Sequence, residues 1–445
     1  MEFTKQSKML LSQFIITHKD CFRYSTLTPE TKSIIAKLYD RIQRASIVSN
    51  QEKGEIRIRK ITERAHIPQP KHLVIPNDLR DRIYSHAMYH VSHSFSLFSR
   101  EIIIHLVFEN EVNERKRVQS FRKHYEECIA KIKLWLAVAS ELGVASPDTC
   151  SKNITIYIYM TPITKQLPSE TSIVLDQRHV NTAYTYTCKA NNDIVIYRKE
   201  EWFKVLIHET FHTLALDFSD MDSKHADTQI LSIFRIESNV LLYEAYTECW
   251  ARIWNVLLCC FYLSTPPPPY QPLTLKPKNP TFSLDKYLED VEMFIIFERT
   301  FGCFQMIKAL HHMGLKYSDI ISSFSLDSSN VKTVSKLYKE RSNVLSYYII
   351  TLVLMNHYQE FMKWCNVHNN TTLHNTSLVS FKKTNNNLNQ FVRFVEKNHQ
   401  SREMMEGVEC AERTFFDIHK HKNDKKNKKM EILTTTMRMT ICELA

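Results

Sequence analysis

The segment VLIHETFHTLALDFSD, Val205 to Asp220, places His208 and His212 four residues apart, with Glu209 directly after the first histidine. On a helix, residues four apart are about 6 Å apart along the axis and about 40° apart around it, so both imidazoles can address one ion. Zinc favours such nitrogen ligands. Glu209, about 100° further round, can reach a water on the ion without taking a coordination position. No other charged residue interrupts Val205 to Leu216. The chemistry this spacing suits is metal-assisted hydrolysis, with the acid as general base.

Catalytic zinc keeps three protein ligands and leaves one position for water, so a third ligand is needed. In LLYEAYTECWARIW, Glu244 and Glu248 are four apart and hence share one helix face in a segment rich in apolar residues. Buried acids there need cations, either a metal or the side chains of Arg252 or Lys204. Asp217, Asp220, Asp222 and His225 follow the histidine pair closely and stay open as alternative ligands.

The elements that must position these residues can be read from periodicity. The chain has 445 residues, 43% hydrophobic and 24% charged, a globular composition long enough for two or three domains. Only five glycines occur, which leaves little call for positive-φ turns and favours helices. Residues 1–113 are expected to be helical. From Glu114 to Leu142, Phe121, Tyr125, Cys128, Ile132, Trp135, Ala139 and Leu142 recur at helical steps, with Gly143 as cap. The period then changes to two in NITIYIYM, where a small mixed sheet is expected to begin. Ser172–Leu175, Asn181–Thr187 and Asp193–Arg198 are further strand candidates, the last two as a hairpin. Helical spacing returns from Lys199 to Leu216 and from Ser238 to Tyr262, which puts both candidate motifs on helices. Prolines stiffen a connector over 263–283; helices follow over 284–399, then a polar and basic tail over 400–445. The fold class expected is helix-rich α+β.

Other classes are excluded. The longest apolar run, Val344 to Met355, is too short for the roughly twenty residues a bilayer requires and reads as a buried helix. The N-terminal apolar run is broken by Ser12 and Gln13 and is read as a helix, not a leader. Eleven cysteines without a C-x-x-C pair are neither a zinc ribbon nor a disulfide framework, which implies a reducing compartment, host cytoplasm or virion if the chain is viral. Of the net charge of +10, half sits in HKHKNDKKNKK, a solvated block able to make weak polyanion contacts but lacking an aromatic or arginine pattern.

The segment Val205–Leu216, with the strands before it and the acid pair after it, resembles the zincin metallopeptidases, over about 114–262. The order helix, strands, hairpin, motif helix is similar to a zincin core. Ala215 and Phe218 depart from the metzincin continuation, whereas Glu244 and Glu248 resemble the gluzincin acid pair. That resemblance implies one zinc per chain held by His208, His212 and Glu244, Glu209 as base, and Glu248 orienting a ligand histidine. The spacer to Glu244 is longer than in the familiar gluzincins. It also implies that Asn181, Ala183 and Thr185 lie on an edge strand that pairs with a peptide or protein substrate. An oxyanion donor is expected beyond the proline connector, where Tyr338, Tyr347, Tyr348, His311, His312 and His357 are eligible. The segment also resembles uncharacterised predicted metallopeptidases of large DNA viruses of eukaryotes. The alternative reading is a noncatalytic zincin-like protein that keeps zinc for structure or virion assembly, in which Glu209 would have no use.

Overall fold

The computed structural model describes residues 2–17, 26–109, 115–143, 146, 148–264, 283–321, 334–370, 378–420 and 428–444. The proline connector and most of the lysine block lie outside them. In chain order the first elements are α1 (Lys5–Thr17), α2 (Pro29–Gln51), β1 (Glu55–Lys60), α3 (Asn77–His86), β2 (Tyr89–Leu97), β3 (Arg100–Phe108) and α4 (Arg115–Leu142). There follow β4 (Asn153–Tyr159), α5 (Gln177–Val180), β5 (Ala183–Tyr184), β6 (Asn191–Ile196), α6 (Trp202–Thr213), α7 (Lys224–Phe234), α8 (Leu242–Ser264) and α9 (Leu284–His312). Further helices occupy much of 317–435. The class is the helix-rich α+β expected, in two compact units, one of residues 37–164 and 182–220, the other of residues 1–36, 165–181 and 221–445.

The first unit is built on a six-stranded mixed sheet of order β1-β2-β3-β4-β6-β5. β2 pairs antiparallel with both β1 and β3, β4 pairs parallel with both β3 and β6, and β5 returns antiparallel on β6. A parallel step needs a long crossover, and α4 supplies it between β3 and β4. Its apolar face buries Ile132, Trp135, Ala139 and Leu142, and the Trp135 ring stacks on Phe211 of α6. Every residue of α6 is buried, which explains why VLIHETFHT shows so little polar spacing.

Here the sheet begins earlier than expected, at Glu55 rather than Asn153, with three strands inside the span expected to be helical. In β2 the alternation is present, since Val91, Phe95 and Leu97 are buried while Ser94 and Ser96 are exposed. Histidine and serine fill its other positions and mute the pattern. All six residues of β1 are exposed, so it carries no core signal and is held by pairing to β2. Ser172–Leu175 is not a strand, for Leu175 makes a single isolated bridge, to Glu340. The expected hairpin forms, but its first strand shortens to Ala183–Tyr184.

Cys150 and Cys188, expected to be reduced, are joined as a disulfide with Cα atoms 4.7 Å apart. The 38-residue separation left no local signature in the sequence. β4 and the β5–β6 turn bring the two together.

The second unit is helical around α8. Tyr246 meets Phe361, Phe381 and Phe391 edge-on and donates its hydroxyl to Val379 O at 2.7 Å. One turn further, Arg252 Nε donates to Glu248 Oε1 at 2.9 Å, both side chains almost fully buried. Gly302 on α9 is a close approach: a Cβ there would lie 3.0 Å from Arg252 Nη1 and 3.0 Å from Leu352 Cδ1. The apolar run 344–355 is buried as expected, as a π-helical turn Leu345–Ile350 running into the helix Thr351–Asn356. Among the described residues, no helix is long and apolar enough to cross a membrane.

The loop before that run is tied down by Glu340, which accepts from Ser238 Oγ and from Leu345 N–H. Burial pushes the Glu340 carboxyl up to about 7, although the bonds from Ser238, Leu345, Val344 and Tyr338 lower it. A carboxyl raised on folding stabilises the native state fully below its unfolded pKa, and that contribution is lost as pH rises through 7. Glu340→Gln should therefore match wild type in thermal stability near pH 5 and exceed it at pH 8, by calorimetry; an unchanged difference across that range would contradict the assignment.

Candidate metal centre

The strand β6 feeds α6 through a short, well-bonded link. Tyr197 N–H donates to Thr182 O at 3.0 Å and Lys199 N–H to Thr161 O at 2.9 Å. Apolar side chains anchor the helix, leaving His208, Glu209 and His212 as its buried polar residues with Lys204, Thr210 and Thr213. The Tyr197 phenol lies near this face. Burial pushes it above its ordinary range, Arg198 pulls it down, and the charge of Glu209 adds to the rise.

The two imidazoles converge as the helical spacing implies. His208 Nε2 and His212 Nε2 are 3.2 Å apart, with the rings edge to face. His212 Nδ1 is engaged by the carboxylate of Asp217. That contact depends on how α6 ends. Leu214 N–H bonds Thr210 O and Leu216 N–H bonds Phe211 O, while Ala215 takes the left-handed conformation at φ 53°. The chain folds back, and Asp217 returns beneath His212. Asp217 is fully buried, and its other oxygen accepts from Ser219 N–H at 3.0 Å and Ser219 Oγ at 2.8 Å. Burial alone would raise this carboxyl, but His212 and the Ser219 donors hold it below the usual carboxylate value. The ionised acid keeps the proton on Nδ1 and leaves a lone pair on Nε2, the tautomer a metal ligand requires. Asp217, an alternative ligand by sequence, thus holds the His212 ring with one oxygen and is itself held by Ser219 through the other. Asp217→Ala should weaken metal binding by about 10- to 100-fold, measured by chelator competition, and leave the helix folded.

Glu244 lies in the first turn of α8 and is buried. Tyr347 Oη donates to its Oε2 at 3.1 Å and Asn343 Nδ2 to its Oε1 at 3.3 Å. One ligand atom from each of His208, His212 and Glu244 lies within 4.8 Å of the others, a buried group able to hold a metal ion. It is the one such group found among the described residues. The remaining rivals lie elsewhere: Asp220, Asp222 and His225 are exposed, and His225 lines a surface cavity of about 380 Å³ with Gln229 and Arg393.

Of the six oxyanion candidates, Tyr347 is the one bonded to Glu244. Tyr348 Oη donates to Met437 O at 2.7 Å, His312 Nε2 meets Ile173 O at 2.8 Å, and His357 bonds Val353 O and Ser401 Oγ. His311 packs on Phe415 and His419, and Tyr338 is buried beside Glu340. Of the edge-strand residues, Ala183 pairs with Ile196 at the sheet margin. Thr185 Oγ1 donates to Asp193 O at 2.8 Å, and Asn181 Oδ1 accepts from Ser342 Oγ at 2.6 Å. Glu248 carries the ion pair to Arg252 described above. Asn343 was not singled out from the sequence, because nothing local marks a residue whose partner lies 99 positions away; Tyr197 and Ser219 were not singled out either, although Ser219 stands only two residues from Asp217. Comparison with known protein families, with curated proteins and with solved structures finds no match for this chain.

Proposed function

We propose that this protein is a zinc-dependent peptidase, with His208, His212 and Glu244 as ligands and Glu209 as general base. The observation that carries the reading is the buried convergence of two imidazoles and a carboxylate, with Glu209 on the same helix. Donor chemistry supports zinc among the divalent ions. Two imidazoles at about 2.0–2.1 Å from a tetrahedral ion have nitrogens about 3.3 Å apart, close to the 3.2 Å between the two Nε2 atoms.

A zinc ion held there supplies a Lewis acid that lowers the pKa of water toward neutrality and polarises a carbonyl. Glu209 accepts the proton of the attacking water and passes it to the leaving amine nitrogen. Asp217 holds the His212 ring, so the ligand does not swing as charge develops. The Tyr347 hydroxyl, which donates to Glu244, would serve as the donor to the carbonyl oxygen once it turns from that acid. The β5 strand, at the sheet edge, offers main-chain groups to an extended substrate, a sequence-tolerant mode of binding.

The test is elemental analysis of protein purified with zinc, followed by incubation with a mixed peptide library. One zinc per chain and chelator-sensitive cleavage are expected. Zinc without cleavage would favour the noncatalytic scaffold instead; less than about a tenth of an equivalent would remove the metal site itself.

A further inference from the structure

The Cys150–Cys188 disulfide lies at one end of a chain of hydrogen bonds whose other end is a candidate metal ligand. Cys150 is fully buried, and its Sγ lies 3.6 Å from Thr213 O, the last carbonyl of α6. Ser151 Oγ donates to the same carbonyl at 2.6 Å. Cys188 is half-buried in the β5–β6 turn, directly after Thr187. Thr187 Oγ1 lies 2.9 Å from Ser219 Oγ. Because the Ser219 hydroxyl proton is committed to Asp217, Thr187 is the donor in that pair. A second hydroxyl pair, Thr185 with Thr213 at 3.0 Å, joins the hairpin to the end of α6. Thr187 thus donates to Ser219 and Ser219 to one oxygen of Asp217, two bonds in one direction that strengthen each other, while His212 donates to the other oxygen of the same carboxylate.

Backbone conformation at the link adds to this. Cys188 at φ 50° and Ser151 at φ 55° are both left-handed, a state unfavourable for residues with a Cβ. Without the crosslink, both positions gain by relaxing. Ser151 N–H to Lys189 O and Asn153 N–H to Ala190 O, each 2.9 Å, keep the turn on β4, so relaxation loosens the hairpin without unfolding it.

We propose that Cys150 and Cys188 form a redox latch on the metal site: oxidised, the pair seats Thr187 on Ser219 and so fixes Asp217 against His212; reduced, it releases them and metal affinity falls. The latch rests on the reading of His208 and His212 as metal ligands. In the opening step a thiolate of a dithiol reductant attacks Cys188, the accessible sulfur. The S–S bond breaks, Cys150 leaves with the electron pair and takes up a proton, and a mixed disulfide remains on Cys188. The second thiol of the reductant, after losing its proton, displaces Cys188, which is protonated in turn. The reductant is oxidised to its disulfide, and the protein gains two thiols.

The experiment compares zinc affinity by chelator competition in oxidised protein, in protein reduced with a phosphine, and in the Cys150→Ser/Cys188→Ser variant. Reduction and the double variant should each weaken zinc binding by about tenfold, as loss of a partner behind a ligand histidine does. Since Cys410 is also disulfide-bonded, agreement of the two assigns the effect to this pair. Thr187→Val keeps the disulfide and should show the weakened affinity already, with no further response to reduction. Equal affinity in the oxidised and reduced states, or a full redox response in Thr187→Val, overturns the proposal. Hydrogen exchange at Leu216 to Ser219 in metal-free protein gives the second readout. If no zinc binds in either state, the metal reading fails by itself, and the latch then stands on faster exchange after reduction and falls on unchanged exchange.

Discussion

Replacing Glu209 by glutamine is expected to leave one zinc per chain and to lower peptide hydrolysis by about 10²- to 10⁴-fold, the range that general-base catalysis contributes. The amide keeps the shape of the side chain and its place on α6 but cannot accept the proton of a water. Glu209 is buried beside His208, and its charge is felt by the Tyr197 phenol. Removing that charge should therefore move the Tyr197 titration downward, an independent sign that the substitution acted locally. Zinc content and kinetics together decide the outcome. Full activity in a zinc-loaded Glu209→Gln protein, on a substrate the wild type cleaves, would falsify the base assignment.

Glu244→Gln and Glu248→Gln should fail in different ways, although the two acids sit one turn apart on α8. Glu244 is the acid in reach of both histidines, and the amide of glutamine is a far poorer ligand than a carboxylate, so Glu244→Gln should lose its zinc. Its metal-free fold should persist, since Asn343 can still donate to the amide oxygen and the Tyr347 hydroxyl can accept from the amide nitrogen in place of donating to the second carboxylate oxygen. Glu248 balances the buried Arg252. Neutralising one member of a buried ion pair leaves the other charge without its counterion, a change that costs about 3–5 kcal/mol when the partner is removed outright. Glu248→Gln should thus show a lowered melting temperature. If Glu248 also orients a histidine, zinc binding weakens by about 10- to 100-fold without being lost. Graded chelators and calorimetry on the two variants separate these effects. Zinc lost in Glu248→Gln and normal in Glu244→Gln would reverse the assignment.

The site was legible in sequence where its geometry is local. His208, Glu209 and His212 are fixed relative to one another by one helix, so their spacing alone states that two imidazoles share a face. The same holds for the helicity of α4, α6 and α8, whose apolar period is a property of neighbouring residues. The β2 strand carried an alternation too, but serines and histidines diluted it; in β3 an exposed Ile103 between two buried isoleucines hid it, and β1 buries nothing. A strand of that kind exists only because a neighbour offers it hydrogen bonds, and no window of sequence records the neighbour.

What the sequence by itself determined is therefore the two histidines and the acid grouped on α6, the acid-bearing face of α8 and the α+β class. What only the tertiary structure decided is which side chains serve that set. Asp217 meets His212 because Ala215 turns the chain back in a left-handed conformation that a sequence containing alanine gives no reason to expect. Tyr347 rather than five other candidates meets Glu244, across 103 residues of chain. Cys150 finds Cys188 across 38, through the parallel pairing of β4 with β6. Each of these contacts is set by where distant elements pack. Helical and strand periods describe only the side of its own element on which a residue lies, whereas a partner is chosen by the fold as a whole.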